Sequence, residues 1–137
     1  MTVAALRSAL ADAVATTDLG TTMLRASDLI LDSVNPPHAI VFRNDITYDL
    51  DMGDDGSTYQ FVVKVYAGRV SERSAQIVLD ALCEPSGTGS LKASVEGDTA
   101  LRALCDWVLV KSAGATKVTT VGAIDYLTVD FNVEIAT

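Results

Sequence analysis

The amino-acid sequence predicts an α+β fold, in which a mostly antiparallel β-sheet carries two to three helices packed on one face. Apolar residues recur at helical spacing early in the chain and again after residue 71. Alternation of apolar and polar residues, which is typical of half-buried strands, runs through residues 46–52, 58–66 and 127–135. Because the strands follow one another in hairpins, with helices between the groups, we expect an antiparallel sheet with its helices on one side.

The chain is predicted to form one domain over residues 1–137. A length of 137 residues and a mass of 14.4 kDa are typical of a single domain, and no linker, repeat or low-complexity tract divides the sequence. Hydrophobic residues make up 49% of the chain and charged residues 20%. This composition excludes a disordered, collagen-like or coiled-coil protein.

The first predicted element is a helix over residues 3–15, with Thr2 as its N-cap. Its apolar side chains recur every three or four positions, at Val3, Leu6, Leu10 and Val14. Residues 22–32 fit either a segment with a short strand at 29–31 or an arm that becomes ordered on assembly. A Pro-Pro pair then breaks the chain and leads into a strand over residues 39–43.

A hairpin follows, with strands over residues 46–52 and 58–70 and a turn at residues 53–57. The second face of its returning strand is also partly apolar, because Val62 and Tyr66 lie on it. A helix covering this second face is the favoured interpretation, and an exposed interface is the alternative.

The second half of the chain begins with a helix after Ser71, its predicted N-cap. This helix carries an apolar stripe at Ala75, Val78, Leu79 and Leu82. Residues 85–89 form a loop, and Ser90 and Asp98 are predicted to cap two short helical segments. The remaining chain is predicted to form the closing hairpin.

In the closing hairpin, residues 107–112 form one strand, residues 113–115 turn, and residues 127–135 form the other strand. The alternation in the last strand separates a core face from an outer face. The side chains expected to face the core are Leu127, Val129, Phe131, Val133 and Ile135. Those expected to face away are Thr128, Asp130, Asn132 and Glu134.

The net charge is −8, from 10 Lys and Arg against 18 Asp and Glu. This balance argues against tight binding to nucleic acid and against anchoring to anionic lipid, so no membrane partner is expected. The first residues also lack the basic start and apolar run of a signal peptide. Cys83 and Cys105 are expected to be buried free thiols, which favours a protein of the reducing cytoplasm.

Motifs for catalysis or cofactor binding fail in this sequence. His38 is the one histidine, and without a nucleophile-turn motif nearby it is interpreted as a loop or strand-edge residue. One histidine and two separated cysteines do not make a zinc site. Residues 87–92 fail as a phosphate-binding loop, because Leu91 stands where a glycine must precede the lysine. The sequence therefore predicts no catalytic residue, no metal and no cofactor.

Residues 45–55, which we call the acidic segment, are the most unusual local feature. They contain no Lys or Arg, and their aspartates are Asp45, Asp49, Asp51, Asp54 and Asp55. An EF-hand calcium loop fails in both possible registers, because Gln60 or Val62 stands where its last glutamate must be. The segment is predicted to form a solvated hairpin. Contact with a basic partner, or a repulsive lining, is the functional alternative.

Four stretches, in this order, resemble the tail terminator proteins of long-tailed bacteriophages, especially those of actinobacterial hosts. The first is Asp-Ser-Val-Asn-Pro-Pro-His-Ala at residues 32–39, and the second is the strand-to-helix join at residues 65–76. The third is Gly-Thr-Gly-Ser-Leu-Lys-Ala-Ser-Val-Glu at residues 87–96, and the fourth is the closing strand at residues 126–135. They cover about 30% of the chain, and each is a packing or turn signature rather than a chemical one.

The resemblance implies a structural protein of the virion tail and neck, which is present in the host cytoplasm during assembly. Proteins of this family are small α+β domains that form a hexameric ring on the tail tube. The ring stops tube growth and gives the head–tail connector proteins a docking surface. It implies no catalytic residues, and it makes the hairpin at residues 45–57 and the loop with Ser86, Gly87 and Thr88 candidate contact segments.

The charge is compatible with DNA passing through such a ring. Six copies with a charge of −8 each would together carry about −48. A negatively charged inner wall repels phosphate, so DNA would pass through the ring without binding to it. Two other classes of function stay open. One is another head–tail joining or tail-tube protein, and the other is a small-molecule-binding accessory domain of a bacterial enzyme.

Overall fold

The computed structural model describes residues 3–19, 24–27, 36–48, 57–71 and 73–137. The helices in these ranges are α1 (Val3–Val14), α2 (Arg73–Leu82), α3 (Leu91–Glu96) and α4 (Thr99–Ala103). The strands are β1 (Arg25–Ser27), β2 (His38–Tyr48), β3 (Ser57–Arg69), β4 (Trp107–Ala113), β5 (Lys117–Val121) and β6 (Ile124–Ala136). The described part has four helices rather than two to three, because the segments after Ser90 and Asp98 each form a short helix of their own.

All the described strands join one sheet in the order β1-β2-β3-β6-β4, with β5 also paired to β6. The pairs are antiparallel except for β1 and β2, which run parallel. β6 therefore lies at the centre of pairing, with β3 on one side and both β4 and β5 on the other. This arrangement confirms the predicted α+β fold with a mostly antiparallel sheet.

The main core lies between the helices and one face of the sheet. Phe61, Val63 and Val65 of β3 are buried in it, as their alternation with polar residues predicts. α1 contributes Leu6 and Leu10, one helical turn apart, and α2, α3 and α4 each contribute buried side chains to the same cluster. The described helices thus share one core on one side of the sheet.

We call the opposite side of the sheet the open face. It is formed by the side chains that alternate with the core residues, among them Ile40, Val62, Lys64, Tyr66, Tyr126, Thr128 and Asp130. A small apolar cluster on it includes Tyr66 and Tyr126, whose rings meet edge to face with centroids 5.9 Å apart. No side chain of a described helix belongs to this cluster. None of the described helices therefore provides the predicted cover, and the neighbours of Tyr66 in this cluster lie on strands.

Two strand predictions also need correction. Residues predicted to form separate strands make one continuous β2, because a bulge between Arg43 and Ile46 resets the alternation within it. β5 falls in the connection that the sequence left without structure. Its side chains are exposed or half-buried, so no apolar pattern in the sequence indicates a strand there.

Thr128 faces away from the main core as predicted, yet it is buried. It lies opposite β5, and its hydroxyl pairs with that of Thr119 at 2.8 Å.

The predicted caps of the two short helices are confirmed. The Ser90 hydroxyl accepts a hydrogen bond from the Ala93 N–H at 3.2 Å, and Asp98 Oδ1 accepts from the Leu101 N–H at 2.9 Å. The predicted cap Thr2 and the possible strand at residues 29–31 lie outside the described residues, as does the turn at residues 53–56.

Replacing Ser90 with alanine is expected to lower the free energy of unfolding by about 1–2 kcal/mol. The Ser90 side chain is fully buried and also donates its hydroxyl proton to the Glu84 carbonyl. The substitution therefore leaves two backbone groups, the Ala93 N–H and the Glu84 carbonyl, without this hydrogen-bond partner. Urea denaturation measures the loss, with Ser86→Ala in the exposed loop as the control. Equal stability of the two variants would contradict this role for the cap.

Both cysteines are free thiols, as predicted, but their predicted burial is wrong. Cys83 follows the last turn of α2 and is exposed, and Cys105 is half-buried. Partial desolvation raises the pKa of the Cys83 thiol above its ordinary value, and the carboxylates of Asp80 and Glu84 add to this effect.

We expect Cys83 in the folded protein to react more slowly with iodoacetamide near neutral pH than the same thiol in the unfolded chain. A raised pKa leaves less of the nucleophilic thiolate at that pH. Mass spectrometry of timed samples measures the rate, which should rise as the pH is raised. The matched variant Asp80→Asn should react faster than the wild type, and a folded rate equal to the unfolded one would contradict the prediction.

Candidate functional site

The open face is positively charged although the whole chain is acidic. Among the described residues, its cations are Arg25, Lys64, Arg69, Lys111 and Lys117, and its carboxylates are Asp130 and Glu134. These five cations and two carboxylates give this face +3, and since the chain carries −8, the rest of the molecule carries −11. The sheet therefore separates a basic face from an acidic remainder.

The carboxylates on the open face are held by lysines from neighbouring strands. The Lys111 ammonium group lies 3.1 Å from Glu134, and that of Lys117 lies 3.5 Å from Asp130. Lys64 stands directly opposite Asp130 in the β3–β6 register, and it has no ion-pair partner among the described residues. Such exposed pairs contribute about 0–1 kcal/mol each, so they can open when a stronger anionic partner arrives.

Large apolar side chains lie on the same face. Trp107 and Leu109 of β4 are 44% and 42% exposed, and the register places Leu109 opposite Glu134. Beside them, a polar cavity of about 180 Å³ is lined by amide and hydroxyl groups, including those of Asn132 and Ser112, which hydrogen-bond at 2.9 Å. Exposed aromatic and aliphatic groups within a polar surround are typical of a protein interface.

His38 begins β2 at one end of the open face, directly after a cis Pro36–Pro37 bond. It lies opposite Tyr66, and no hydrogen-bond partner of its Nε2 atom lies among the described residues. Burial lowers the pKa of His38, and the charge of Arg25 lowers it further. The lowered pKa favours the neutral imidazole. His38 is paired with Arg25 on one side and with Tyr66 on the other, so it begins an inner strand instead of lying in a loop or at a strand edge as the sequence suggested.

The contact residues predicted from the sequence lie on two different elements. Asp45 is exposed at the bulge of β2. Gly87, with a φ of 106°, and Thr88 belong to an exposed loop after α2, and the Thr88 carbonyl accepts a hydrogen bond from the Asp18 N–H at 3.0 Å. Ser86 is exposed in the same loop. The other predicted contacts, Asp49, Asp51, Asp54 and Asp55, lie outside the described residues.

The unpaired edge of β4 is partly closed by a side chain. Glu96, at the end of α3, accepts a hydrogen bond from the Val110 N–H at 2.9 Å and pairs with Lys92 one turn earlier. An open cavity of about 410 Å³ lies next to this edge, with a mostly apolar wall that includes Leu82 and Phe131. A carboxylate on a strand edge blocks pairing with another strand.

The sequence did not predict that the basic residues of the open face lie together on one side of the sheet. The alternation along β3 places Lys64 on the same face as Val62 and Tyr66, so the position of Lys64 could have been predicted from the sequence. Lys111 and Lys117 could not be placed, since the first lies at the bulge in β4 and the second lies on β5, which the sequence did not predict.

Comparison with known proteins identifies no family. No model of a known protein family matches the chain, and no curated protein matches it. Among the described residues, no group of three or more His, Cys, Asp or Glu side chains is placed to hold a metal ion. None of the described helices combines the length and apolar character needed to cross a membrane.

Proposed function

We propose that the protein is a tail terminator of a long-tailed bacteriophage, which acts by assembly alone. In this proposal a ring of copies caps the tail tube, stops its growth and gives the head–tail connector proteins a docking surface. The protein then belongs to the tail and neck of the virion, and to the host cytoplasm during assembly. The observation that carries the proposal is the open face, which presents basic and apolar side chains on an acidic α+β domain.

A ring needs two different surfaces on each subunit, since head-to-tail contacts repeat around a closed circle. The open face and the acidic remainder of the molecule have opposite charge, so one can bind the other. A domain of this length has a radius of gyration of about 14 Å. Six such domains in a ring leave a central hole about as wide as one subunit, which admits a DNA duplex.

Light scattering and negative-stain images of the purified protein, followed by addition to growing tail tubes, test the proposal. We expect rings with an open centre and tubes that stop lengthening once the protein is added. Binding to tubes without an effect on their length would favour another head–tail joining role. A protein that stays monomeric and ignores both tubes and connector proteins would contradict the proposal.

The cavity between the end of α2 and β4 favours a second candidate, a small-molecule-binding accessory domain. Its volume of about 410 Å³ and its apolar wall are within the range of ligand sites. Its two lysines, Lys92 and Lys111, already pair with Glu96 and Glu134. A fragment screen by ligand-observed NMR tests this function. Binding that Ala113→Trp abolishes would support it, and a screen without hits would contradict it.

A further inference from the structure

We propose that the open face of one copy binds residues 49–55, which are part of the acidic segment, of a second copy. The occupant is residues 49–55, with their four aspartates, and the receiving surface is the strip around Lys64 and Lys117. This inference rests on the proposed function in one respect, since it supplies the head-to-tail contact that a ring requires.

Charge complementarity is the first reason for this occupant. Residues 49–55 carry −4 and contain no Lys or Arg, so they are the densest acidic run in the chain. The described residues of the open face carry +3, and Lys64 on it has no ion-pair partner among the described residues. Lys117 is 59% exposed at its side chain and is held only by the 3.5 Å contact to Asp130. Both lysines are therefore available to a carboxylate from outside.

Chain geometry is the second reason, because the segment is poorly placed to reach these lysines in its own chain. Each of the four aspartates is at most three residues from Tyr48 or Ser57, where β2 ends and β3 begins. Three residues span at most about 11 Å. Lys64 is seven residues along β3 from Ser57, which is about 23 Å at the rise of a strand, and Lys117 is further along the sheet. Even a fully extended path of about 11 Å is shorter than this distance, so a second copy is the better source.

The contact uses different surfaces on the two copies, a basic face on one and an acidic segment on the other. Each copy therefore keeps a free face and a free segment after binding one neighbour, and the contact repeats until a ring closes. Because it depends on charge, it should weaken as the salt concentration rises from about 0.05 M to about 0.5 M, where screening shortens the range of electrostatic attraction.

Two charge-reversed variants test the contact. The face variant carries Lys64→Glu and Lys117→Glu. The segment variant carries Asp49→Lys, Asp51→Lys, Asp54→Lys and Asp55→Lys, which change the charge of residues 49–55 from −4 to +4. Alone, each sets like charges against each other, and we expect self-association at least about tenfold weaker than in the wild type. Mixed in equal amounts, they should assemble again, because in an alternating ring every junction joins opposite charges. Light scattering over a concentration series measures both effects.

A control variant and a milder pair keep the result interpretable. The control variant Arg73→Glu with Arg102→Glu makes the same change in net charge as the face variant, but at exposed helical positions. It should assemble like the wild type. If the face variant fails to fold by circular dichroism, Lys64→Gln with Lys117→Gln replaces it, with a smaller loss of self-association and no rescue by the segment variant, because neutral glutamines do not attract lysines.

The outcomes separate this contact from the proposed function. Variants that assemble like the wild type, or a mixture without rescue, overturn the contact even if the wild type caps tubes. A wild type that does not self-associate at any concentration overturns it as well. Rescue by mixing in a protein that forms only dimers and does not cap tubes keeps the contact and overturns the ring.

Discussion

Replacing Phe61 with alanine should lower the free energy of unfolding by about 3–5 kcal/mol, the largest stability loss that we expect from a single substitution in this protein. Its side chain is 1% exposed, and β3 is paired on both sides, so the surrounding strands cannot collapse into the space left behind. The neighbouring Tyr59 ring, stacked at a centroid distance of 6.5 Å, loses its partner too.

Urea denaturation followed by the fluorescence of Trp107 measures this loss. The control is Ile77→Ala on the outer side of α2, where the side chain is 70% exposed and the expected change is below about 0.5 kcal/mol. A loss below about 1 kcal/mol for Phe61→Ala would show that the position is not part of a closely packed core.

Replacing Glu96 with alanine is expected to cost about 1–3 kcal/mol and to make the protein more prone to aggregation. The substitution removes the acceptor of the Val110 N–H and leaves that donor unpaired at the edge of β4. It also removes the ion pair with Lys92, but that exposed pair accounts for less than about 1 kcal/mol.

Two further variants separate these contributions. Glu96→Gln keeps an oxygen acceptor for the Val110 N–H and should retain most of the stability. Lys92→Ala removes the ion pair alone and should have a small effect. If the alanine and glutamine variants at position 96 are equally unstable, the hydrogen bond to the strand edge is not what stabilises this contact.

Elements with one buried face were predictable from the sequence, and exposed ones were not. Most of β3 and β6 followed from alternation, because Val63 and Val133 must face the core while their sequence neighbours do not. The Ser90 and Asp98 caps followed from local hydrogen-bonding chemistry. β5 has no buried side chain, so its position depends on pairing with β6 that no local pattern reveals.

The candidate surface was predictable only in part, for the same physical reason. Asp45 and the rest of the acidic segment are adjacent in sequence, so their charge was visible at once. The basic face collects Lys64, Lys111 and Lys117 from three strands, and only the register brings them together. Residues that are brought together only by pairing between distant strands are not adjacent in the sequence, so no local pattern predicts the surface they form.

The central position of β6 has a consequence for the order of events during synthesis. β3, β4 and β5 all pair with β6, and β6 leaves the ribosome after all three of them. Until it emerges, β3 has one unpaired edge and β4 has no partner in the sheet. The nascent chain therefore exposes the β3 edge while about half of the sequence, from the end of β3 to the end of β6, is being made. Chaperones or rapid synthesis of the last strand would protect it during that interval.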